Sequence, residues 1–107
     1  MERRRFRRPR LSLNVQACSN DHAVGHVLNL TDEGVCLTGR GAPPAEPFPL
    51  KFELPLPVYG QREIHVLAEP RWHDYLSNGH WRGGFYLQAD NDAIALLTTL
   101  AGRYGDR

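Results

Sequence analysis

The first ten residues, MERRRFRRPR, carry six arginines against a single glutamate, with Phe6 the only aromatic and no lysine. Guanidinium differs from ammonium in two useful ways. It stacks on aromatic rings, and its planar fork grips phosphate oxygens or the O6/N7 edge of guanine. An all-arginine segment therefore suits planar, anionic ligands, and Phe6 gives it an apolar contact by which to dock. The competing reading is a solvated basic tail. A second polar cluster follows in NLTDEGVCL. Asn29 and Thr31 stand two apart at a strand end, so their side chains face the same way. An amide and a hydroxyl there can address the edge of a flat heterocycle, with Gly34 turning the chain sharply behind them. The same residues are also ordinary turn chemistry.

Other chemistries find little support. There is no GxSxG, HExxH, CxxC or phosphate-cradling loop in the sequence. The five histidines are scattered. His22 and His26 would share a strand face but stand about 13 Å apart along it, too far for one ion. Gly83-Gly84 reads as a strand kink or close packing point rather than a phosphate site. Neither a catalytic residue nor a metal ligand is expected, and the chain reads as a non-enzyme.

The elements that must hold these residues follow from periodicity. Leu11, Leu13, Val15 and Ala17 alternate with polar residues, a half-buried strand, and Ser19-Asn20-Asp21 turns it. A second strand runs through HAVGHVLNL, TDEG turns again, and a third short strand covers 34–38. Residues 39–47 hold too much Gly and Pro for a ladder. Phe48, Leu50, Phe52 and Leu54 face one way on a fourth strand, and LPVYGQ connects onward. Ile64, Val66 and Ala68 mark a fifth strand that Pro70 bends or places at an edge. Ser77-Asn78-Gly79 is a hairpin signal, and HWRGGFYLQA returns as the sixth strand. Asp90-Asn91-Asp92 then offers helix caps, Ile94, Leu97, Leu100 and Ala101 recur at helical spacing over about 91–103, and Gly102 is a plausible stop. Six short antiparallel strands with one apolar face are best accommodated by curling into a barrel, which leaves no exposed edge. The C-terminal helix could plug one end.

At 107 residues the chain builds one core. No apolar run approaches the roughly 20 residues that span a bilayer, and no apolar segment follows the basic start as in a signal peptide. Cys18 and Cys36 lie in alternating apolar runs and read as buried thiols in a reducing cytoplasm rather than a disulfide. The net charge of +1 hides an asymmetry. Residues 1–10 have a surplus of five positive charges, whereas the rest sets seven basic residues against eleven acidic ones. A basic arm on an acidic body implies an anionic partner recruited at one edge.

Taken together, Arg4-x-x-x-Arg8 and, some twenty residues later, Asn29-x-Thr31-x-x-Gly34 resemble the bipartite signature of PilZ domains, RxxxR followed by (D/N)xSxxG. ERRRFRR is similar to the family's usual opening, Trp72 ends a strand as in its V-x-W segment, and GGFYLQ before a terminal helix resembles its close. The resemblance spans essentially the whole chain. It implies an all-β fold with a terminal helix: a six-stranded antiparallel β-barrel (PilZ-like) plus one C-terminal α-helix, residues 11–107 forming the barrel domain and 1–10 a flexible arm that completes the site. It implies binding of the bacterial second messenger cyclic di-GMP, with no other cofactor. Arg4 and Arg8 would embrace phosphates and guanine faces. Arg3 would accompany capture of an intercalated dimer rather than a monomer. Asn29 and Thr31 would address a guanine edge, and Gly34 would allow close approach. Trp72 either lines the base pocket or packs in the barrel. Thr31 stands where serine is usual, and Asn29 lacks the charged acceptors of an aspartate.

The expected mechanism is a switch without catalysis: the ligand bridges arm and barrel, orders the arm, and an effector protein reads the new surface in trans. Two other classes remain. A ligand-independent PilZ-type adaptor would work by protein contacts alone. A nucleic-acid-binding module could use the arginine arm, but the acidic body shows no basic stripe or exposed aromatic platform, so nucleic acid is not the expected partner.

Overall fold

The computed structural model describes residues 14–30 and 34–104. Residues 1–13, 31–33 and 105–107 lie outside them. Six strands and a helix follow in order: β1 (Gln16–Ser19), β2 (His22–Leu30), β3 (Gly34–Arg40), β4 (Phe48–Val58), β5 (Gln61–Tyr75), β6 (His80–Gln88) and α1 (Asn91–Tyr104). The strands close into a barrel in the order β1-β2-β3-β6-β5-β4, with β1 also pairing with β4. All pairings are antiparallel. The expected barrel and terminal helix are both present.

Alternation fills the interior. Val15, Ala17, Val35, Leu37, Leu50, Phe52, Ile64, Ala68 and Phe85 point inward and are buried. Trp81 is 1% exposed and packs edge-on against Phe85, with its indole N–H donating to the Arg40 carbonyl at 3.3 Å. Ala93, Leu97 and Leu100 of α1 join the same core.

Several boundaries differ from the sequence reading, each for a local reason. The LPVYGQ connection shrinks to a two-residue turn, because Tyr59 and Gly60 both adopt positive φ (50° and 77°) and Val58 pairs directly with Gln61. Pro55 and Pro57 are tolerated within β4 because its pairing with β5 is interrupted between Glu53 and Val58. β3 continues to Arg40 rather than ending at Thr38. At the first turn, Asn20 and Asp21 take positive φ (50° and 67°) between paired Ser19 and His22. The first strand begins at Gln16, after Asn14 and Val15, and runs on to Ser19, while Leu11 and Leu13 lie outside the described residues.

The helix begins where Asp90 caps it, its Oδ1 accepting from the Ala93 N–H at 2.8 Å, and it passes Gly102 to reach Tyr104. Its buried stripe is Ala93, Leu97 and Leu100, not Ile94, which is 38% exposed one position round the helix. Tyr59 ties this helix to the β4–β5 turn. Thr99 Oγ1 donates to its hydroxyl at 3.4 Å, and the Arg103 guanidinium sits 5.6 Å from its ring centre.

β5 departs most from expectation. It runs through Pro70 to Tyr75, so Trp72 lies inside the strand and not at its end. Pro70 lies beyond Ala68, the last β5 residue paired with β4, and pairs only with Phe85 of β6, so it stands at a locally open edge as expected. It also adjoins an irregularity between Pro70 and Trp72 that leaves Arg71 as an extra residue.

Candidate functional site on the outer face of the barrel

The extra residue decides where Trp72 points. Ile64, Val66 and Ala68 face inward at every second position, and Pro70 continues the phase opposite buried Phe85. An unbroken strand would turn Trp72 inward too. The bulge at Arg71 reverses the phase, and Trp72 pairs with Gly84 on the outer surface. The alternative that Trp72 packs in the barrel interior is thereby settled: Trp81 occupies the core, and Trp72 is 41% exposed.

The register extends this pair into a row. Asn29 of β2 pairs with Cys36 of β3, Cys36 with Gly84 of β6, and Gly84 with Trp72 of β5. Directly opposed residues share a face, so the four positions form one lateral strip across the outside of the barrel. Cys36 points outward yet is only 7% exposed. The Asn29 side-chain oxygen is buried and has no hydrogen-bond partner among the described residues. One step along, Gly34 pairs with Tyr86 and Tyr86 with Glu69. The Arg71 guanidinium lies 5.1 Å from the Tyr86 ring centre, and its Nη2 is 3.8 Å from Glu69 Oε1. In the other direction, Thr38 pairs with Arg82 and Arg82 with Asp74, the last two also joined by an ion pair at 3.3 Å.

Of the residues singled out in the sequence, Asn29, Gly34 and Trp72 are therefore brought to one surface. Arg3, Arg4, Arg8 and Thr31 lie outside the described residues. Val15, the residue before β1, accepts a hydrogen bond at its carbonyl from the Val27 N–H at 3.0 Å, two residues from Asn29. Sequence reasoning missed Arg71 and Tyr86, and it read Gly83-Gly84 as a kink or close packing point without saying what packs there. The Pro70 signal pointed to a local break in β5, but a break does not say which side chains it turns outward.

The face also corrects the expectation that the body lacks an exposed aromatic platform. Trp72, Tyr75 and Tyr86 are all substantially exposed, Tyr75 with its neighbour His73 at a ring-centre distance of 5.4 Å on the opposite side of the β5–β6 hairpin. Nor is the acidic charge evenly spread. A groove of about 460 Å³ between the start of α1 and β5 is lined by Glu63, Asp90 and Asp92 with Tyr59, His65 and Leu96. Its carboxylates disfavour an anion, whereas Arg71 and Arg82 stand on the Trp72 face. Among the described residues no cluster of three or more metal-ligating side chains occurs. No described helix is long and apolar enough to cross a membrane. Cys18 and Cys36 are both thiols.

A closed six-stranded antiparallel barrel with one C-terminal helix is a PilZ-like fold. Among solved structures, the Bacillus subtilis inhibitor of motility (MotI/DgrA) matches it with a TM-score of 0.62 at 16% sequence identity, over 96% of this chain and 51% of that one. This chain thus spans about half the length of that protein. No family model matches the sequence, and no curated protein matches it.

Proposed function

We propose that this chain is a receptor for cyclic di-GMP that draws its arginine arm onto the barrel when the ligand binds and signals to a partner protein in trans. The observation that carries the reading is the outer row from Asn29 to Trp72. It combines a buried acceptor that has no partner among the described residues with a half-exposed indole. Cyclic di-GMP offers two guanines and two phosphates. The N1–H and N2–H of a guanine are donors for Asn29 Oδ1, and the base plane suits the Trp72 ring. Arg71 supplies a cation from the barrel itself. Arg4 and Arg8 then close over phosphates and guanine faces, with Thr31 beside Asn29, Gly34 permitting close approach and Arg3 favouring an intercalated dimer. The setting is a bacterial cytoplasm and the output a regulatory contact, a role in keeping with the motility inhibitor that shares the fold.

Titration calorimetry with cyclic di-GMP at moderate salt tests the proposal and gives stoichiometry as well as affinity. Binding in the micromolar range or tighter, lost in Arg4→Ala and Arg8→Ala, is the expected result. No heat at tens of micromolar protein, or affinity unchanged in both variants, would sink it. One observation favours a second reading, a ligand-independent adaptor. Tyr75 and Leu76 are exposed at the tip of the β5–β6 hairpin, away from the Asn29 row, where a protein partner could dock without any ligand. An oligonucleotide retained at physiological salt would point instead to nucleic acid.

A further inference from the structure

The groove between the start of α1 and β5 has no part in the receptor reading. It is lined by buried Ile64 and Ala93, half-buried Leu96, and the carboxylates of Glu63, Asp90 and Asp92. The described cations beside it do not balance that charge. Lys51 lies 3.7 Å from Glu63 but stands closer to Glu53, at 3.2 Å, and the other neighbour of Glu63 is His65. Asp92 has no ion pair among the described residues. The register ties this groove to the start of the chain. Gln16 of β1 pairs with Glu53 of β4, and Glu53 with Glu63 of β5. Two strand spacings, about 10 Å, therefore separate Gln16 from Glu63. Because β1 runs antiparallel to β4, stepping back from Gln16 to Asn14 leads towards the Tyr59-Gly60 turn, and Tyr59 itself lines the groove. The residues before Asn14 could span about 43 Å if extended, and six of them are arginine.

We propose that in the absence of ligand the arginine arm, residues 1–10, docks in this groove, and that an anionic ligand must draw it away. The inference goes beyond the receptor reading, because the contact belongs to the chain alone. Charge complementarity selects the occupant: a segment with a surplus of five positive charges is tethered within reach of three carboxylates. Each guanidinium can fork onto a carboxylate, and Leu96 offers Phe6 an apolar contact. The tether makes the encounter intramolecular, at an effective concentration on the order of millimolar. The Asn29 row lies on the other flank of β1, beyond β2, so an arginine held at one surface is not available to the other. Docking thus keeps a fraction of the chains out of the binding-competent state, and the apparent affinity for ligand falls by that fraction.

The test is paramagnetic relaxation in the full, ligand-free chain at low salt, with a nitroxide on Glu2→Cys and with Cys18→Ala and Cys36→Ala removing the native thiols. Amides of residues 61–65 and 90–96 are expected to broaden at least twice as much as those of 34–36, which lie at the same barrel end on the other flank of β1. Glu63→Gln with Asp92→Asn should remove at least half of that broadening. Asp90 is left in place because it caps the helix. Should this variant melt well below the parent, Arg7→Gln with Arg8→Gln removes the charge from the arm instead, and the same loss is expected with the groove intact. Equal broadening on both flanks overturns the inference, and so does broadening that neither charge removal reduces. Broadening passed from a labelled chain to an unlabelled, isotope-enriched one would assign the groove to the arm of a second copy and overturn the intramolecular contact. Calorimetry then reads the competition: Glu63→Gln with Asp92→Asn should bind cyclic di-GMP at least threefold more tightly than the parent. Unchanged affinity overturns the competition. Absence of binding by the parent overturns the receptor reading and leaves the groove contact standing.

Discussion

Arg71 and Tyr86 face each other across β5 and β6 with the guanidinium 5.1 Å from the ring centre, beside the row that ends in Trp72. Glu69, at 3.8 Å, partly neutralises the arginine but does not enclose it, since both side chains are about half exposed. The Tyr86 ring holds the cation near the surface of the barrel, where a phosphate could reach it. The receptor reading therefore predicts that Arg71→Ala weakens cyclic di-GMP by about 5- to 30-fold, the equivalent of one charge-assisted contact of roughly 1–2 kcal/mol. The salt dependence of binding should also become shallower. Arg71→Lys keeps the charge and should recover only part of the loss, because ammonium does not stack as guanidinium does. Calorimetry at two salt concentrations checks both statements.

Asn29 gives a prediction with opposite signs in its two measurements. Its buried side-chain oxygen has no partner among the described residues, and an unsatisfied buried acceptor costs about 1–3 kcal/mol. Asn29→Ala removes that acceptor, so the ligand-free protein should melt no lower than the parent. Affinity for cyclic di-GMP should nevertheless fall by an order of magnitude or so, corresponding to roughly 1.4 kcal/mol. A drop in melting temperature with unchanged affinity would show that Asn29 serves the fold instead.

Much of the fold could be read from the chain because period-two alternation and turn residues act locally. The β1–β2 and β5–β6 turns, the inward set on β4, and the Asp90 cap all follow from neighbours within a few positions. Trp72 could not be placed in this way. Its side depends on one extra residue in β5, and a bulge is defined by the partner strand's register as much as by its own sequence. Gly84 illustrates the same limit. Next to Gly83 it signals close packing, but only the β5–β6 register shows that the indole of Trp72 is what it accommodates. Ile94 was misassigned to the buried stripe because helical spacing defines a stripe but not its rotation against the barrel, and the smaller Ala93 is the residue that fits.

The C-terminal helix should depend measurably on its cap. Asp90 Oδ1 accepts from the Ala93 N–H at 2.8 Å, and Ala93 is itself buried. Asp90→Ala is expected to cost about 1 kcal/mol, lowering the melting temperature by roughly 4–8 °C for a domain near this size. Asp90→Asn retains an acceptor and should recover most of the loss. Thermal denaturation followed at 222 nm reads both.

Alkaline pH should destabilise the barrel through Cys18. Burial raises the pKa of this thiol above the ordinary cysteine value, and the nearby Glu53 carboxylate raises it further, while Lys51 works in the opposite direction. Folding therefore favours the protonated thiol. Its contribution is present in full below the pKa of an unfolded cysteine and is lost as pH rises through the folded value. Lys51 shifts in a way that acts in the same direction at higher pH, its ammonium being held charged chiefly by the hydrogen bond to Glu53. Cys18→Ser should flatten the decline in stability that begins near pH 9 in urea titrations, leaving a later decline that Lys51→Met reduces. Alkylation of Cys18 by iodoacetamide at pH 8 should also be slower than that of a cysteine in an unfolded peptide. Equal rates would mean that neither burial nor Glu53 restrains the thiolate.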